Sequence, residues 1–279
     1  MPRLAVIGHP VAHSRSPAMQ NAALAALGLG GNWAYEAIDV APEGFEDRVR
    51  AMAAEGFAGA NVTVPHKEAA LALADAPSEV AREIGAANTL AFADEQIHAH
   101  NTDADGFLAA LPASPRGRRA LVLGAGGAAR AVVWALEREG AVVEVWNRTA
   151  GRAERLCAEL GGASVAGRDH GGAGAPRGAP AAMPHQPAYE LIVNTTAAGL
   201  KSEDPFTALP LDRDGFASEQ IVIDLVYGER PSALLAAAEA SGATVVDGIE
   251  VLVQQGALSL RIWTGREAPL EVMRVAART

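Results

Sequence analysis

Short apolar runs alternate with segments of helical periodicity along most of this chain. Ser16 as N-cap, Pro17 as the first helical residue and Gly28 as the stop predict a helix in the first part. The predicted strands around it are residues 4–8, 33–40, 59–64, 88–92 and 96–100. The last two resemble a hairpin around Asp94-Glu95, with a three-residue loop or a bulge as equally possible connections. This alternation of strands and helices predicts an α/β fold.

The pattern changes near residue 101, where a second series of strands and helices begins. Residues 161–187 are rich in Gly, Ala and Pro and lack periodicity. We expect them to form a flexible surface insertion, because they offer little apolar surface to offset the entropy of ordering. The predicted strands of this part are 120–123, 142–146, 190–193, 221–225 and 243–246, and its predicted helices are 128–139, 150–160, 249–264 and 267–277.

Composition narrows the class of protein. A chain of 279 residues suggests two domains, and 49% hydrophobic against 20% charged residues excludes a wholly disordered chain. The net charge of −10 argues against nucleic-acid and membrane partners, so an anionic substrate needs a local basic pocket. The single cysteine, Cys157, leaves no disulfide framework or cysteine-based metal site. Without a signal peptide or membrane-spanning run, we expect a soluble cytoplasmic protein.

Residues 124–129 match the pattern G-x-G-x-x-A between a predicted strand and a predicted helix. In that context Gly124 allows a tight turn and Gly126 lets backbone N–H groups approach a pyrophosphate. The helix N-terminus would add its positive dipole end to the site. The pattern favours dinucleotide binding, and a glycine turn without a ligand is the alternative.

The end of the following strand indicates which dinucleotide binds. NAD sites usually carry an acidic residue there, whereas this chain has Asn147, Arg148 and Thr149, with Arg152 one turn later. A guanidinium pairs well with the oxygens of a 2′-phosphate, so this segment favours NADP. Capping of the next helix by Thr149 is compatible with that interpretation, and solvated arginines are the alternative.

Polar residues at strand ends are further candidates. Ser14 and Ser16 could meet a carboxylate, although such a segment is often only a helix cap. Alternation places Asn61 and Thr63 on one face of their strand. Lys67 follows at a predicted helix start, where a cation is unfavourable, and a solvated surface lysine is the alternative interpretation. Asp103 could cap a helix or form half of a proton-transfer pair with a lysine. Sequence spacing alone does not distinguish between these two interpretations of Asp103.

Taken together, these segments resemble the shikimate dehydrogenase family over nearly the whole chain. The motifs that carry the resemblance are S-x-S-P at 14–17, N-V-T-V-P-H-K at 61–67, A-N-T at 87–89, N-T-D-x-x-G at 101–106, G-A-G-G-A-A-R at 124–130, N-R-T-x-x-R at 147–152, N-T-T-A-A-G at 194–199, D-L-V-Y at 224–227 and Q-G-A at 255–257.

The resemblance implies reversible NADPH-dependent reduction of 3-dehydroshikimate to shikimate, a step of chorismate and aromatic amino-acid biosynthesis. It implies that Lys67 is the acid/base, with Asp103 positioning both the lysine and the reacting hydroxyl. The implied substrate-binding residues are Ser14 and Ser16 for the carboxylate, Thr63, Asn88 and Asp103 for ring hydroxyls, and Lys67, Tyr227 and Gln255. The residues implied to line NADP are Gly124, Ala125, Gly126, Gly127, Ala128, Asn147, Arg148, Thr149, Arg152, Leu225 and Gly248.

The domain organisation follows from the same resemblance. It implies an N-terminal α/β substrate domain over residues 1–103, onto which residues 249–279 pack back, and a Rossmann-like NADP-binding domain over residues 104–248. No metal is expected, and a homodimer is one expected assembly. Residues 228–235 depart from the proline and T-P-L-L that the family often has, which affects the expected loop shape and none of the assigned side chains.

Two alternative functions stay open. The first is a quinate-using or dual-specificity dehydrogenase, and the second is a non-catalytic NADP-binding regulator. The Lys67 and Asp103 pair argues against the regulator, and the missing acid at the strand end argues against an NAD-linked quinate enzyme. Which of these two residues moves the proton also stays open.

Overall fold

The chain divides into two compact units, Met1–Ala110 with Ile249–Thr279 and Leu111–Gly248. The structure is a computed structural model that describes residues 2–165, 186–200, 203–228 and 231–279. In chain order the elements before Leu111 are β1 (Arg3–Gly8), α1 (Ser16–Ala26), β2 (Ala34–Asp39), α2 (Phe45–Ala54), β3 (Phe57–Val62), α3 (Lys67–Ala72), β4 (Ala76–Pro77), α4 (Glu79–Ile84), β5 (Thr89–Ala93), β6 (Gln96–His100) and α5 (Asp103–Ala110).

The second unit and the C-terminal return complete the chain. The second unit holds β7 (Arg119–Leu123), α6 (Gly127–Arg138), β8 (Val142–Trp146), α7 (Ala150–Leu160), β9 (Ala163–Ser164), β10 (Leu191–Asn194), β11 (Ile221–Asp224), α8 (Ala233–Ala240) and β12 (Thr244–Asp247). The chain then continues into α9 (Gly248–Thr264) and α10 (Leu270–Arg278). Among the described residues, no helix is both long and apolar enough to span a membrane.

In the first unit, the described strands form one mixed sheet in the order β2-β1-β3-β5-β6-β4. β1 runs parallel to β2 and β3, and β5 runs antiparallel to β3 and β6. The predicted hairpin is confirmed: Ala93 pairs with Gln96, and Asp94 and Glu95 between them have φ of 53° and 60°. Positive φ at both turn residues matches the twist of the two strands.

The core of this unit lies between the sheet and the helices packed on it. On α2, Phe45, Val49 and Met52 recur at helical spacing, are fully buried, and pack with Ile7 and Phe57 of the sheet. Each such side chain contributes about 1.5–3 kcal/mol by leaving water. The apolar residues at helical spacing therefore form the buried face of this helix.

Helix α9 brings the end of the chain back to the first unit. Gly106 of α5 lies so close to Gln255 of α9 that a Cβ on Gly106 would come within 2.6 Å of the Gln255 backbone nitrogen. Trp263 of α9 donates its indole N–H to the carbonyl of Leu90, at 2.8 Å. Because α5 packs here, the boundary lies after Ala110, and the predicted boundary after residue 103 was wrong.

In the second unit, the described strands form a sheet in the order β12-β11-β10-β7-β8-β9. Every recorded pairing is parallel. The order steps outward in both directions from the first strand, β7, which is the doubly wound Rossmann arrangement. The predicted α/β class and the Rossmann-like character of this unit are confirmed.

Several local predictions were wrong. Arg15, not Ser16, occupies the N-cap of α1, and Ser16 is its first residue. The helix start predicted at Lys67 is confirmed by α3, whereas the short helix α4 was missed because six residues hold too little periodicity to stand out. Of the predicted insertion at 161–187, residues 166–185 lie outside the described residues. Its ends are ordered parts of the second unit, since Ala163 pairs with Glu144 of β8 and Gln186 is buried.

Candidate active site

A lysine and an aspartate from distant parts of the sequence form an ion pair in the first unit. Lys67 is the first residue of α3, just after β3, and Asp103 is the first residue of α5, just after β6. The Lys67 Nζ donates to Asp103 Oδ2 at 2.6 Å, with side chains only 11% and 17% exposed. The ammonium is therefore held by one carboxylate oxygen in a mostly desolvated setting, which suits directed proton transfer.

Asn88, directly before β5, fixes the other oxygen of that carboxylate. Its Nδ2 donates to Asp103 Oδ1 at 2.9 Å and lies 3.1 Å from Gln255 Oε1. Its Oδ1 accepts the backbone N–H of Thr102 at 2.7 Å. Four of the predicted residues, Lys67, Asn88, Asp103 and Gln255, therefore form one hydrogen-bonded group.

A buried hydroxyl cluster that the sequence analysis missed supports this group. Ser259, fully buried on α9, accepts Asn61 Nδ2 at 2.9 Å and lies 2.8 Å from Thr89 Oγ1 and 3.1 Å from Thr102 Oγ1. Asn61 Oδ1 in turn accepts the Tyr35 hydroxyl at 2.7 Å. The sequence feature that could have indicated Ser259 is its position as a polar residue on the apolar stripe of α9, one helical turn after Gln255.

Asn61 and Thr63, which were predicted to lie on one face of their strand, have different surroundings in the structure. Asn61 is buried in the hydroxyl cluster, whereas Thr63 lies one residue past the end of β3 and is half-buried. The Thr63 backbone N–H donates to Ile7 O at 2.8 Å, and its methyl group lies against Gly8 at the end of β1. Thr63 thus shares the carboxyl edge of two parallel strands with the loop that follows β1.

That loop carries Ser14 and Ser16. Ser14 is half-buried and its Oγ accepts the backbone N–H of Ser16 at 3.3 Å, while Ser16 is buried. Asp39, at the end of β2, binds His9 Nδ1 at 2.6 Å and accepts the Val11 N–H at 3.2 Å. The bond from His9 lowers the pKa of Asp39. The loop is thereby tied at its beginning to the neighbouring strand.

The second unit contains the predicted glycine turn. Gly124 follows β7 with φ of 116°, which favours glycine, and its N–H donates to Trp146 O at 2.7 Å. Gly126 is the N-cap of α6, and no described side chain caps that helix. Gly127 and Ala128 open the helix, and Ala129 is fully buried behind them. The first backbone N–H groups of α6 are therefore available to an anion.

The segment after β8 exposes the two predicted arginines. Arg148 and Arg152 are exposed, and the described part of the chain contains no ion pair to either of them. Asn147 Nδ2 donates to Thr149 O at 2.9 Å. Thr149 stands at the N-cap of α7, but its side chain makes no capping hydrogen bond among the described residues, so only half of the capping prediction holds.

The remaining predicted residues lie at the ends of β11 and β12. Leu225 directly follows β11, and its backbone N–H donates to Asn194 O at 2.9 Å. Gly248 follows β12 and lies against the carbonyl of Leu225. Tyr227 is half-buried two residues further along the first of these turns. Among the described residues, no group of three or more His, Cys, Asp or Glu side chains could hold a metal ion.

Three family models match consecutive parts of the chain. The shikimate dehydrogenase substrate binding domain matches residues 6–90, the shikimate / quinate 5-dehydrogenase family matches residues 109–168, and the shikimate 5′-dehydrogenase C-terminal domain matches residues 248–278. Together they span both structural units.

Individual relatives cover almost the entire chain. A shikimate dehydrogenase (NADP(+)) of Methanopyrus kandleri is 45% identical, over 97% of this chain and 93% of its own. The shikimate 5-dehydrogenase of Thermus thermophilus, solved in complex with NADP(H) and shikimate, is 42% identical with a TM-score of 0.83, covering 100% of this chain and 99% of its own. The Aquifex aeolicus shikimate dehydrogenase is 36% identical with a TM-score of 0.88, covering 100% and 98%. The chain therefore belongs to the shikimate dehydrogenase family.

Proposed function

We propose that this protein is a shikimate dehydrogenase that interconverts 3-dehydroshikimate and shikimate with NADPH and NADP⁺. The observation that carries the proposal is the Lys67–Asp103 ion pair, at 2.6 Å and mostly buried. It belongs to a chain whose relatives are NADP-dependent shikimate dehydrogenases. An acid/base pair with this geometry has a use in carbonyl reduction, whereas a nucleotide-binding regulator has no need of one.

The substrate-binding roles extend this proposal to individual side chains. Ser14 and Ser16 would bind the carboxylate, and Thr63, Asn88 and Asp103 would hold ring hydroxyls. Their positions support this assignment, because the serine loop and Thr63 follow adjacent parallel strands, and Asn88 is bonded to Asp103. The further proposed substrate contacts are Lys67, Gln255 and Tyr227.

In the proposed reaction, Lys67 provides the proton. Hydride addition to the substrate carbonyl carbon breaks the C=O π bond and places the electron pair on oxygen, and a proton from the Lys67 ammonium completes the hydroxyl. The reverse reaction returns the proton to the neutral amine. Asp103 holds Nζ in position through Oδ2, while Asn88 prevents the carboxylate from rotating. An ammonium that is already held in position needs little reorganisation before it donates its proton to the substrate oxygen.

The residues of the second unit fit an NADP molecule. The uncapped N-terminus of α6 would accept the pyrophosphate beside Gly124, Ala125, Gly126, Gly127 and Ala128. Asn147, Arg148, Thr149 and Arg152 would face the 2′-phosphate, since two exposed guanidiniums stand where an NAD site has a carboxylate. Leu225 and Gly248 would line the remainder of the cofactor. When bound, NADPH supplies the hydride.

The loss of NADPH absorbance tests the proposal directly. The purified protein should oxidise NADPH with 3-dehydroshikimate and reduce NADP⁺ with shikimate, and it should use quinate poorly. Comparable rates with quinate would establish the dual-specificity alternative. NADPH binding without turnover of any of the three compounds would establish the regulator instead.

Assembly and location complete the proposal. A homodimer and a cytoplasmic location are what the family resemblance implies for this chain. Size-exclusion chromatography coupled to light scattering distinguishes the dimer from a monomer of 28.7 kDa. Fractionation of the source cells tests the location.

A further inference from the structure

Asp224 is a buried carboxylate for which neither the sequence motifs nor the proposed mechanism provides a role. It is the last residue of β11 and is fully buried. Its Oδ1 accepts Asn194 Nδ2 at 2.8 Å and the backbone N–H of Val226 at 3.0 Å. The described residues give it no ion-pair partner. Through Oδ1 it therefore holds both the turn after its own strand and the neighbouring strand.

Asn194 occupies on β10 the position that Asp224 occupies on the neighbouring strand β11. It is the last residue of β10, is fully buried, and accepts the Thr196 N–H at 3.0 Å and the Thr196 hydroxyl at 2.7 Å through Oδ1. Each of the two side chains thus fixes the turn that follows its own strand. The bond between Asn194 and Asp224 joins the two turns.

The turn after β10 is also joined to the glycine turn. Both the backbone N–H and the hydroxyl of Thr195 donate to Leu123 O, at 2.9 and 2.7 Å. The Thr195 hydroxyl lies against Gly124, at the point where a side chain on that glycine would stand. The ends of β7, β10 and β11 are therefore connected in one series, with Asp224 at its far end.

Holding a carboxylate in this place costs stability. Burial raises the pKa of Asp224, and hydrogen bonds act in the opposite direction. The bonds from Val226 and Asn194 both reach Oδ1, and Oδ2 has no hydrogen-bond partner among the described residues. A buried charge without an ion pair is expensive, even when its hydrogen bonds are made. Because the bonds from Val226 and Asn194 fix the two turns, the placement of the carboxylate points to a role in shaping them.

We propose that Asp224 is a positioning residue for the cofactor, which fixes the turn carrying Leu225 and Tyr227 relative to the turns after β7 and β10. The inference rests on the proposed function, because Leu225 is assigned to NADP there. Asp224 touches neither ligand in this scheme and acts through the backbone of the turn. Removing its carboxylate should therefore weaken cofactor binding in a protein that still folds.

NADPH fluorescence titrations of Asp224→Ala and Asp224→Asn test the inference. The alanine variant leaves the Val226 N–H without its acceptor, and Asn194 Nδ2 keeps only the longer bond to Ala198 O at 3.4 Å. We expect its Kd for NADPH to rise about tenfold or more, the factor that corresponds to one hydrogen bond to a charged group. Asparagine keeps an acceptor oxygen for both donors, so its Kd should lie near the wild-type value. Rescue by the conservative variant separates positioning from a requirement for charge.

Gln220 provides a matched control at the opposite end of the same strand. It is fully buried directly before β11, where its Nε2 donates to Gln186 O and Tyr189 O at 2.9 and 2.7 Å. Gln220→Ala should lower the melting temperature and leave the Kd for NADPH unchanged. An Asp224→Ala protein that melts early but binds NADPH as tightly as wild type would be merely destabilised, and the inference would be wrong.

A second variant covers the case in which Asp224→Ala does not fold. Thr196→Val keeps the shape of a half-buried side chain and removes both bonds of the hydroxyl, the one donated to Asn194 and the one accepted from the Ala198 N–H. It should therefore also raise the Kd, and an unchanged Kd would overturn the inference. Wild-type protein that binds no NADPH would overturn both the proposed function and the inference. Wild-type protein that binds NADPH without turnover contradicts only the activity, and the comparison of Kd values still decides the role of Asp224.

Discussion

Lys67→Ala is the most direct test of the proposed chemistry. The ammonium is the only proton donor that the scheme provides for the nascent alkoxide, and general acid–base catalysis typically contributes about 10²–10⁴-fold. We expect kcat to fall by that factor. KM for shikimate should change much less, because Ser14, Ser16 and Asn88 would still bind the ring and its carboxylate.

The same substitution has a cost in stability that the geometry allows us to estimate. It breaks a charged hydrogen bond of 2.6 Å between groups that are 11% and 17% exposed. Such bonds contribute about 1.5–3 kcal/mol, so the melting temperature should fall by several degrees. Asp103 keeps its bond from Asn88, and the carboxylate should therefore stay in place.

Arg274→Ala is a suitable control for that loss of stability. Arg274 on α10 holds Glu250 of α9 through Nε and Nη2, at 2.7 and 2.9 Å, in the same structural unit. Its loss should lower the melting temperature and leave kcat unchanged. Lys67→His, in which an imidazole can carry the proton, should recover part of the rate.

Steady-state kinetics together with thermal melts decides whether Lys67 is the proton donor. A folded Lys67→Ala protein that keeps more than about a tenth of the wild-type kcat lies outside the range of general acid catalysis. The proton would then come from Asp103 or from water, and Lys67 would be a structural partner of the carboxylate. A variant that melts early with kcat nearly intact would lead to the same conclusion.

Three further predictions concern the cofactor, the substrate and pH. Arg148→Ala should raise KM for NADPH about ten- to a hundredfold, the factor that corresponds to one charge-assisted hydrogen bond, and leave KM for NADH unchanged. Initial rates with both cofactors measure this effect, and a retained preference for NADPH would show that Arg148 is only a solvated residue. The wild-type kcat/KM for shikimate should be well above that for quinate, and Ser16→Ala should raise KM for shikimate more than it lowers kcat; equal efficiency on both substrates would contradict the carboxylate assignment. Because burial raises the pKa of Asp224 above 3.8, the folded state binds its proton more tightly than the unfolded state, and the wild type loses that stability as pH rises through the folded pKa. Residue 224 cannot titrate in Asp224→Asn, so the unfolding free energy of this variant relative to that of wild type should increase as the pH rises from acidic to neutral. Melts across this pH range measure the difference between the two proteins. A difference that stays constant would show that Asp224 does not titrate as described.

The sequence was sufficient for the elements with strong periodicity. The predicted helix at 150–160 coincides with α7, and the predicted strand at 142–146 coincides with β8. Helix α8 was missed although Ser232 caps it by accepting the Leu235 N–H at 3.2 Å. Its alanine-rich sequence gives almost no contrast in hydrophobicity between its two faces, so the pattern of apolar and polar residues does not predict a helix there.

The candidate site was predicted as a set of residues, not as an arrangement. The proximity of Lys67 and Asp103 follows from the order of β3, β5 and β6 in the sheet, and the sequence pattern does not determine that order. Ser259 was missed for a related reason. A serine on an apolar helix face becomes meaningful only when the neighbouring strands bring Asn61, Thr89 and Thr102 to it.

The topology of the two sheets explains which residues were within reach of sequence reasoning. Within one parallel sheet the carboxyl ends of the strands share one edge, so residues that follow such strands can be assigned in advance to that edge of their own sheet. Ser14 and Thr63 belong to the sheet of the first unit, and Gly124 and Leu225 belong to the sheet of the second. β5 and β6 are antiparallel, and the rule does not extend to them. Asn88 precedes β5 and Asp103 follows β6, and in an antiparallel pair the start of one strand lies beside the end of the other. The bond between them is thus a consequence of the hairpin, whose turn the sequence did predict.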